Sequence, residues 1–213
     1  MIYDKNFLII TAHPDDLEMG CGGLVSKIKA HGGSVTNLIL VKPSVEQRGS
    51  RNKEIVEKEL KESSNVLGME VITYDTPLHG NGRPNLVLDN NLITFAESVA
   101  EDKQVLISHW REDHHQDHRV CYDVARSIAR KGFEQFWCMD EPPYNLHYRQ
   151  FQPNLYVDIT DHLDKKIQAL GCYNSYFAQH DIDQIINYNR YRGGFIGPDK
   201  VAETFNLVYN KTL

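Results

Sequence analysis

Cysteine is scarce, and its placement carries no chemistry. Cys21, Cys121, Cys138 and Cys172 lie far apart and form no C-x-x-C pair. That argues against a cysteine zinc site and against a disulfide framework. Each reads as a reduced, small, buried side chain. Long hydrophobic runs are missing as well. No stretch approaches the roughly 20 apolar residues of a membrane span. The one early apolar run, Phe7 to Thr11, is too short for the core of a secretory signal and leads into charged residues. An excess of positive charge is also absent. Lys and Arg number 23 against 29 Asp and Glu, for a formal net charge of −6. Such a balance does not suit a protein that coats nucleic acid or anionic membrane. These absences predict a cytoplasmic protein with no nucleic-acid partner and no membrane span. What is present is ordinary: 213 residues, 41% hydrophobic and 24% charged. That is room for one sizeable core and short for two. There is no repeat, low-complexity tract or linker, so residues 1–213 read as a single domain.

Apolar runs alternate with helical spacings. Phe7–Thr11, Val35–Val41, Val71–Tyr74, Val105–Ser108 and Phe133–Met139 read as strands, and Leu155–Ile159 as a later one. Helices are expected over Leu17–His31, stopped by Gly32-Gly33, and over Arg51–Leu67, stopped by Gly68. Others are expected over Asp89–Glu101, Gln116–Lys131, Asp161–Phe177 and Asp181–Tyr191, with Arg192-Gly193-Gly194 a loop. Strand–helix alternation implies right-handed crossovers and a mostly parallel sheet, an α/β fold.

Two polar motifs follow buried strands in this layout. Ala12-His13-Pro14-Asp15-Asp16 follows the first, and His114-His115-Gln116-Asp117-His118 follows the fourth. Ligands of open α/β sheets bind outside the carboxyl ends of strands, so two such motifs can meet in one cleft. Imidazole and carboxylate suit zinc and similar ions, and a catalytic site uses three protein ligands with one position open to water. A tight turn can aim His13 and Asp16 at one point, and His118 is a candidate third ligand. Water on such an ion becomes acidic and attacks as hydroxide. Asp15, adjacent but not needed as a ligand, could take its proton. His115, oriented and charged by Asp117, could serve the oxyanion and the departing amine. A helix cap would account for one aspartate of the first motif, not for two and a histidine. A solvated loop would account for the second motif alone, not for both together. His114 competes with His115, and His109 and His147 are secondary candidates for the cleft. Gly20-Cys21-Gly22-Gly23 does not fit G-x-G-x-x-G, because Val25 stands at its last position. It reads as close helix packing.

At these residues the chain resembles the LmbE-like, or PIG-L, deacetylase family. Ala12-His13-Pro14-Asp15-Asp16-Leu17-Glu18 resembles its A/P-H-P-D-D-x-E signature, and His115-Gln116-Asp117-His118-Arg119 its H-x-D-H-R signature. Weaker likenesses span most of the chain. Arg51-x-x-Glu54 before Leu67-Gly68 is similar to an R-x-x-E helix. Asp158-Ile159-Thr160 with Lys165-Lys166 and Ala169-Leu170 resembles a D-I-T…K…A-L segment. Arg192-Gly193 and Ala202-Glu203-Thr204-Phe205 resemble an R-G…A-E-x-F pattern. The resemblance implies a Rossmann-like three-layer fold and zinc-dependent removal of N-acetyl groups from amino sugars. It implies His13, Asp16 and His118 as metal ligands and Asp15 as general base. It also implies His115, rather than His114, as acid or electrophile paired with Asp117, and Arg51 as a grip on the substrate. A small N-acetylated sugar or sugar nucleotide is the expected partner; the family often assembles into homo-oligomers, while the sequence itself leaves oligomeric state open. Three alternatives stay open. The ion could be Fe(II), since two His and one carboxylate also suit that ion. The substrate could be a non-sugar N-acyl compound. The chain could be a metal- or sugar-binding module without catalysis. Where many members carry H-x-S-Q, this chain has Tyr173-Asn174-Ser175-Tyr176, which leaves substrate identity open. Asp140-Glu141-Pro142-Pro143-Tyr144 reads equally as a substrate-facing or a structural loop.

Overall fold

A computed structural model describes residues 2–42, 52–142 and 150–211. In chain order the elements are β1 (Asn6–Thr11), α1 (Asp16–Ala30), β2 (Ser34–Ile39), α2 (Lys53–Leu67), β3 (Glu70–Thr73), α3 (Asn90–Val99) and β4 (Val105–Ser108). They continue as α4 (Gln116–Ile128), β5 (Gln135–Met139), β6 (Leu155–Asp158), α5 (Leu163–Gly171), α6 (Gln179–Gly193) and β7 (Ala202–Asn210). The seven strands form one sheet in the order β3-β2-β1-β4-β5-β7-β6. The first five are parallel, and β7 runs antiparallel to both β5 and β6.

Helices cover both faces, so the central strands are apolar along their length rather than alternating. Successive side chains of β1 enter opposite layers. Phe7 and Ile9 pack with Leu17, Leu24 and Ile28 of α1 and with Phe205 of β7. Leu8 and Ile10 pack with Leu92 and Ala96 of α3 and with Cys121 and Val124 of α4. The result is the expected α/β, three-layer arrangement. Strand order reverses at β1: β2 and β3 lie to one side, β4 and β5 to the other. This is the switch point at which open sheets leave a crevice. Because Ile10 registers with Ser108, the loops after β1 and β4 leave the sheet side by side.

Capping follows local chemistry. The Asn52 side chain accepts the Ile55 N–H at the start of α2, and Gly68 closes that helix at φ 66°, a conformation glycine holds without steric cost. Cys21, Cys121 and Cys138 are buried, but Cys172 is only half-buried, against expectation. Among the described residues, no helix is long and apolar enough to cross a membrane.

Three element assignments differ from the sequence reading. The strand β7 went unread as a strand, because Glu203, Thr204, Asn206 and Asn210 interrupt its apolar pattern. The helix expected to run to Phe177 stops at Gly171, and a turn follows. The helix α6 continues through Arg192 to Gly193, where a loop was expected.

Candidate metal centre

Beyond β1 the chain turns sharply into α1. The backbone N–H groups of Ala12 and His13 both donate to Asp16 Oδ2, at 3.1 and 2.7 Å. To make that turn, Asp15 takes φ 97° and ψ −29°, in the left-handed region. L-residues other than glycine rarely hold that conformation, Asp and Asn most readily. Asp15 is 6% exposed.

Beyond β4, Asp113 organises the second motif. Its carboxylate accepts the His115 N–H at 2.8 Å and lies 3.1 Å from His118 Nδ1. His115 then caps α4, its Nδ1 accepting the Asp117 N–H at 3.2 Å. The two motifs meet at Asp16. His13 Nδ1 is 3.6 Å and His118 Nε2 is 3.7 Å from Asp16 Oδ2. The outer nitrogen of each ring faces another carboxylate: His13 Nε2 lies 3.2 Å from Asp117 Oδ2, and His118 Nδ1 faces Asp113. Carboxylate-backed imidazoles aimed at one point are the usual outer arrangement of histidine metal ligands. Asp117 was expected to serve His115; it lies 3.9 Å from His115 Nδ1 and nearer to His13. The rings of His115 and His13 are 4.8 Å apart, and those of His115 and His118 4.7 Å.

The electrostatics are those of a packed set of opposite charges. Burial pulls the His13 imidazole down, yet Asp16 and Asp117 together lift it to about 10. Burial raises Asp16, but His118 and His13 hold it well below the usual carboxylate range. Asp113 falls to about 2 against its burial, through His118. Burial, then the charges of His13 and His118, push His115 down to about 4. A cation binding here would take the place of the proton that Asp16 and Asp117 hold on His13.

Sequence reasoning undervalued three residues. His109, 1% exposed, directly follows β4. Its Nε2 accepts the Ala12 N–H at 3.1 Å and is 3.3 Å from Asp16 Oδ2. Its Nδ1 is 2.9 Å from Glu141 Oε2, and its ring stacks on His118 with centroids 3.8 Å apart. Asp16, His109, His118 and Glu141 form one buried group, and His13, His115 and His118 a second; within each group the ligating atoms lie within 4.8 Å of one another. His109 and Glu141 stand just past β4 and β5, the strand-end position that singled out the two motifs. That signal was available for both. Asp113 lies inside the second loop and carried no signal of its own.

Arg51 and His147 fall outside the described residues. The Tyr173–Tyr176 segment is anchored inward. Tyr173 is fully buried and donates to Glu18 at 3.1 Å, while Ser175 donates through N and Oγ to Glu59 at 2.7 and 2.8 Å. The reading of Gly20–Gly23 as close packing holds: a Cβ at Gly20 would sit 2.7 Å from Met139 Sδ, and one at Gly23 2.7 Å from Ile159 Cδ1.

Residues 8–129 match the family described as PIG-L, GlcNAc-PI de-N-acetylase. A diacetylchitobiose deacetylase of Thermococcus kodakarensis is 25% identical over 197 residues, covering 82% of this chain and 71% of that protein. The crystal structure of a conserved protein of Thermus thermophilus superimposes with a TM-score of 0.79 at 25% identity, covering 96% of this chain and 94% of that one. The 4-carboxy-2-hydroxymuconate hydratase GalB of Pseudomonas putida also superimposes with a TM-score of 0.79, at 18% identity, covering 98% of each chain. That likeness is one of fold alone. With its two motifs, its α/β sheet and a family match over more than half its length, this chain belongs to the PIG-L, or LmbE-like, family of deacetylases.

Proposed function

We propose that this protein is a metal-dependent hydrolase that removes an N-acetyl group from an amino sugar or sugar conjugate. The observation that carries the reading is the convergence of His13 and His118, each backed by a carboxylate, on Asp16 beside the left-handed Asp15. Two imidazoles and a carboxylate form a donor set that suits zinc, with Fe(II) the alternative. His13, Asp16 and His118 are the residues that would hold the ion. Once bound, it would supply a Lewis acid that acidifies water and polarises an amide carbonyl.

The remaining work falls to the chain's own side chains. Asp15, at the foot of α1, takes the proton from the attacking water. The amide C–N bond breaks, acetate leaves with the new C–O bond, and the nitrogen departs as an amine that must gain a proton. His115, beside His13 and His118, donates or polarises at that nitrogen. Asp117 orients His13 as well as facing His115. Asp113, His109 and Glu141 hold the rings and Asp16 in place. Arg51 is proposed as a grip on a polar or anionic part of the substrate. The Thermococcus relative is named for diacetylchitobiose, which supports an N-acetylated sugar as the substrate class here.

The test is a screen of N-acetylated sugars and sugar nucleotides with acetate detection, run in air-free buffer, with Asp15→Ala as the control. The expected variant retains about one zinc ion per chain and loses about 10²–10⁴-fold in acetate release, the usual loss for a general base. Full activity in that variant would remove Asp15 from the role. Zinc binding without acetate release from any sugar would favour a non-sugar N-acyl substrate or a binding module.

A further inference from the structure

The strand β7 carries Glu203, and α5 carries Lys166; both are 0% exposed. Lys166 Nζ donates to Glu203 Oε1 at 2.7 Å. Neither charge touches the metal centre, and the proposed chemistry uses neither. Their other partners lie in α1, the helix whose first turn carries Asp16. Lys166 Nζ also donates to the Met19 carbonyl at 2.7 Å. Glu203 accepts the Gly23 N–H at 2.8 Å and the Leu24 N–H at 2.7 Å.

That pattern has a specific meaning in a helix. An uninterrupted α-helix joins the N–H of residue i to the carbonyl of residue i−4, so the Gly23 amide and the Met19 carbonyl are natural partners. Here each meets a charged atom of the Lys166–Glu203 pair. The break is visible in the backbone between them: Cys21 sits at φ −151° and ψ 23°, outside the helical region, inside α1. A side chain inserted into the helical ladder is a recognised cause of a sharp kink. In effect α1 is two short helices. Glu203 caps the free amides at the start of the second. Lys166 caps a carbonyl at the end of the first, whose ladder starts where the Met19 N–H meets the Asp15 carbonyl at 3.0 Å.

We propose that Lys166 and Glu203 are positioning residues for the metal-bearing turn: inserted into α1 as a buried ion pair, they set the kink that aims Asp15 and Asp16. This inference rests on the metal-centre reading above. Removing one partner would leave a buried charge unpaired, which destabilises strongly, whereas replacing both by apolar groups of similar volume is often neutral for stability. The two roles therefore separate in a double variant.

The experiment compares the wild type, the double variant Lys166→Met/Glu203→Leu, and Lys166→Gln, which keeps a donor for the Met19 carbonyl. Thermal unfolding is followed by circular dichroism, and Zn2+ affinity by competition with a chromophoric chelator. The double variant is expected to unfold cooperatively yet bind Zn2+ at least tenfold more weakly, while Lys166→Gln melts lower, for the buried charge it leaves on Glu203, yet binds Zn2+ within a few-fold of wild type. A double variant with wild-type Zn2+ affinity would overturn the proposal, and so would one that does not fold, because the pair would then serve folding rather than aim. Wild-type protein that takes up no Zn2+ would overturn the metal reading itself, an outcome distinct from any seen only in the variant.

Discussion

His109 shows how much a single side chain outside the proposed ligand set can contribute. It accepts from the turn at Ala12, faces the Asp16 carboxylate, stacks on His118 and is anchored by Glu141. His109→Phe would keep the stacked ring and lose the polar contacts. It is expected to weaken Zn2+ affinity by roughly 10–100-fold, the usual cost of removing an outer partner of a metal site. Chelator competition measures this, and unchanged affinity would reduce His109 to a packing group. The sequence made His13, Asp16 and His118 legible because each stands in a short run of metal-suited residues after a buried strand. It ranked His109 low and left Glu141 without a role although both stand just past strand ends, because each is a lone polar residue whose partners gather only once β1, β4 and β5 lie side by side. The nearer partner of Asp117 was hidden for a related reason. Spacing places Asp117 two residues from His115, but the direction of its side chain in the first turn of α4 brings it to His13.

Among the elements, α1 is the most constrained. Its glycines let it lie against the sheet: a Cβ at Gly23 would stand 2.7 Å from Ile159 Cδ1 and 2.9 Å from Ile159 Cβ. Gly23→Ala is expected to destabilise by about 1–3 kcal/mol, the usual cost of overpacking a filled interior. Urea denaturation checks this, and a variant as stable as wild type would mean that Ile159 can yield. The glycine run in the sequence announced this packing. The same run eases a kink at Cys21, but nothing in the sequence pointed to the pair that fixes it there, which comes from α5 and β7. The same distance in sequence concealed β7 as a strand. Its Glu203 looks out of place in an apolar pattern until Lys166 and the amides of α1 surround it. The inward anchoring of Tyr173 and Ser175 was equally invisible, because Glu18 and Glu59 lie in other helices.

At the scale of the whole molecule, the centre ties together the loops that leave β1, β4 and β5. An ion bound only by the folded chain stabilises it by mass action, by about 2.7 kcal/mol at a hundredfold excess over Kd. For a chain of this size that corresponds to roughly 5–11 °C in Tm. Chelator-treated protein is expected to melt lower by that amount with the same far-ultraviolet spectrum, and readdition of Zn2+ to restore it. A Tm indifferent to Zn2+ would mean that the folded state holds no such site. The placement of β7 between β5 and β6 also governs the order of events at the ribosome. Among the described residues, the strand β6 pairs only with β7, which is synthesised after β6, α5 and α6. A nascent chain halted before residue 202 would hold all three proposed ligands and Lys166, but not Glu203. Competence to take up metal would then arrive late in translation, when an antiparallel strand slots between two neighbours and brings the missing carboxylate to α1.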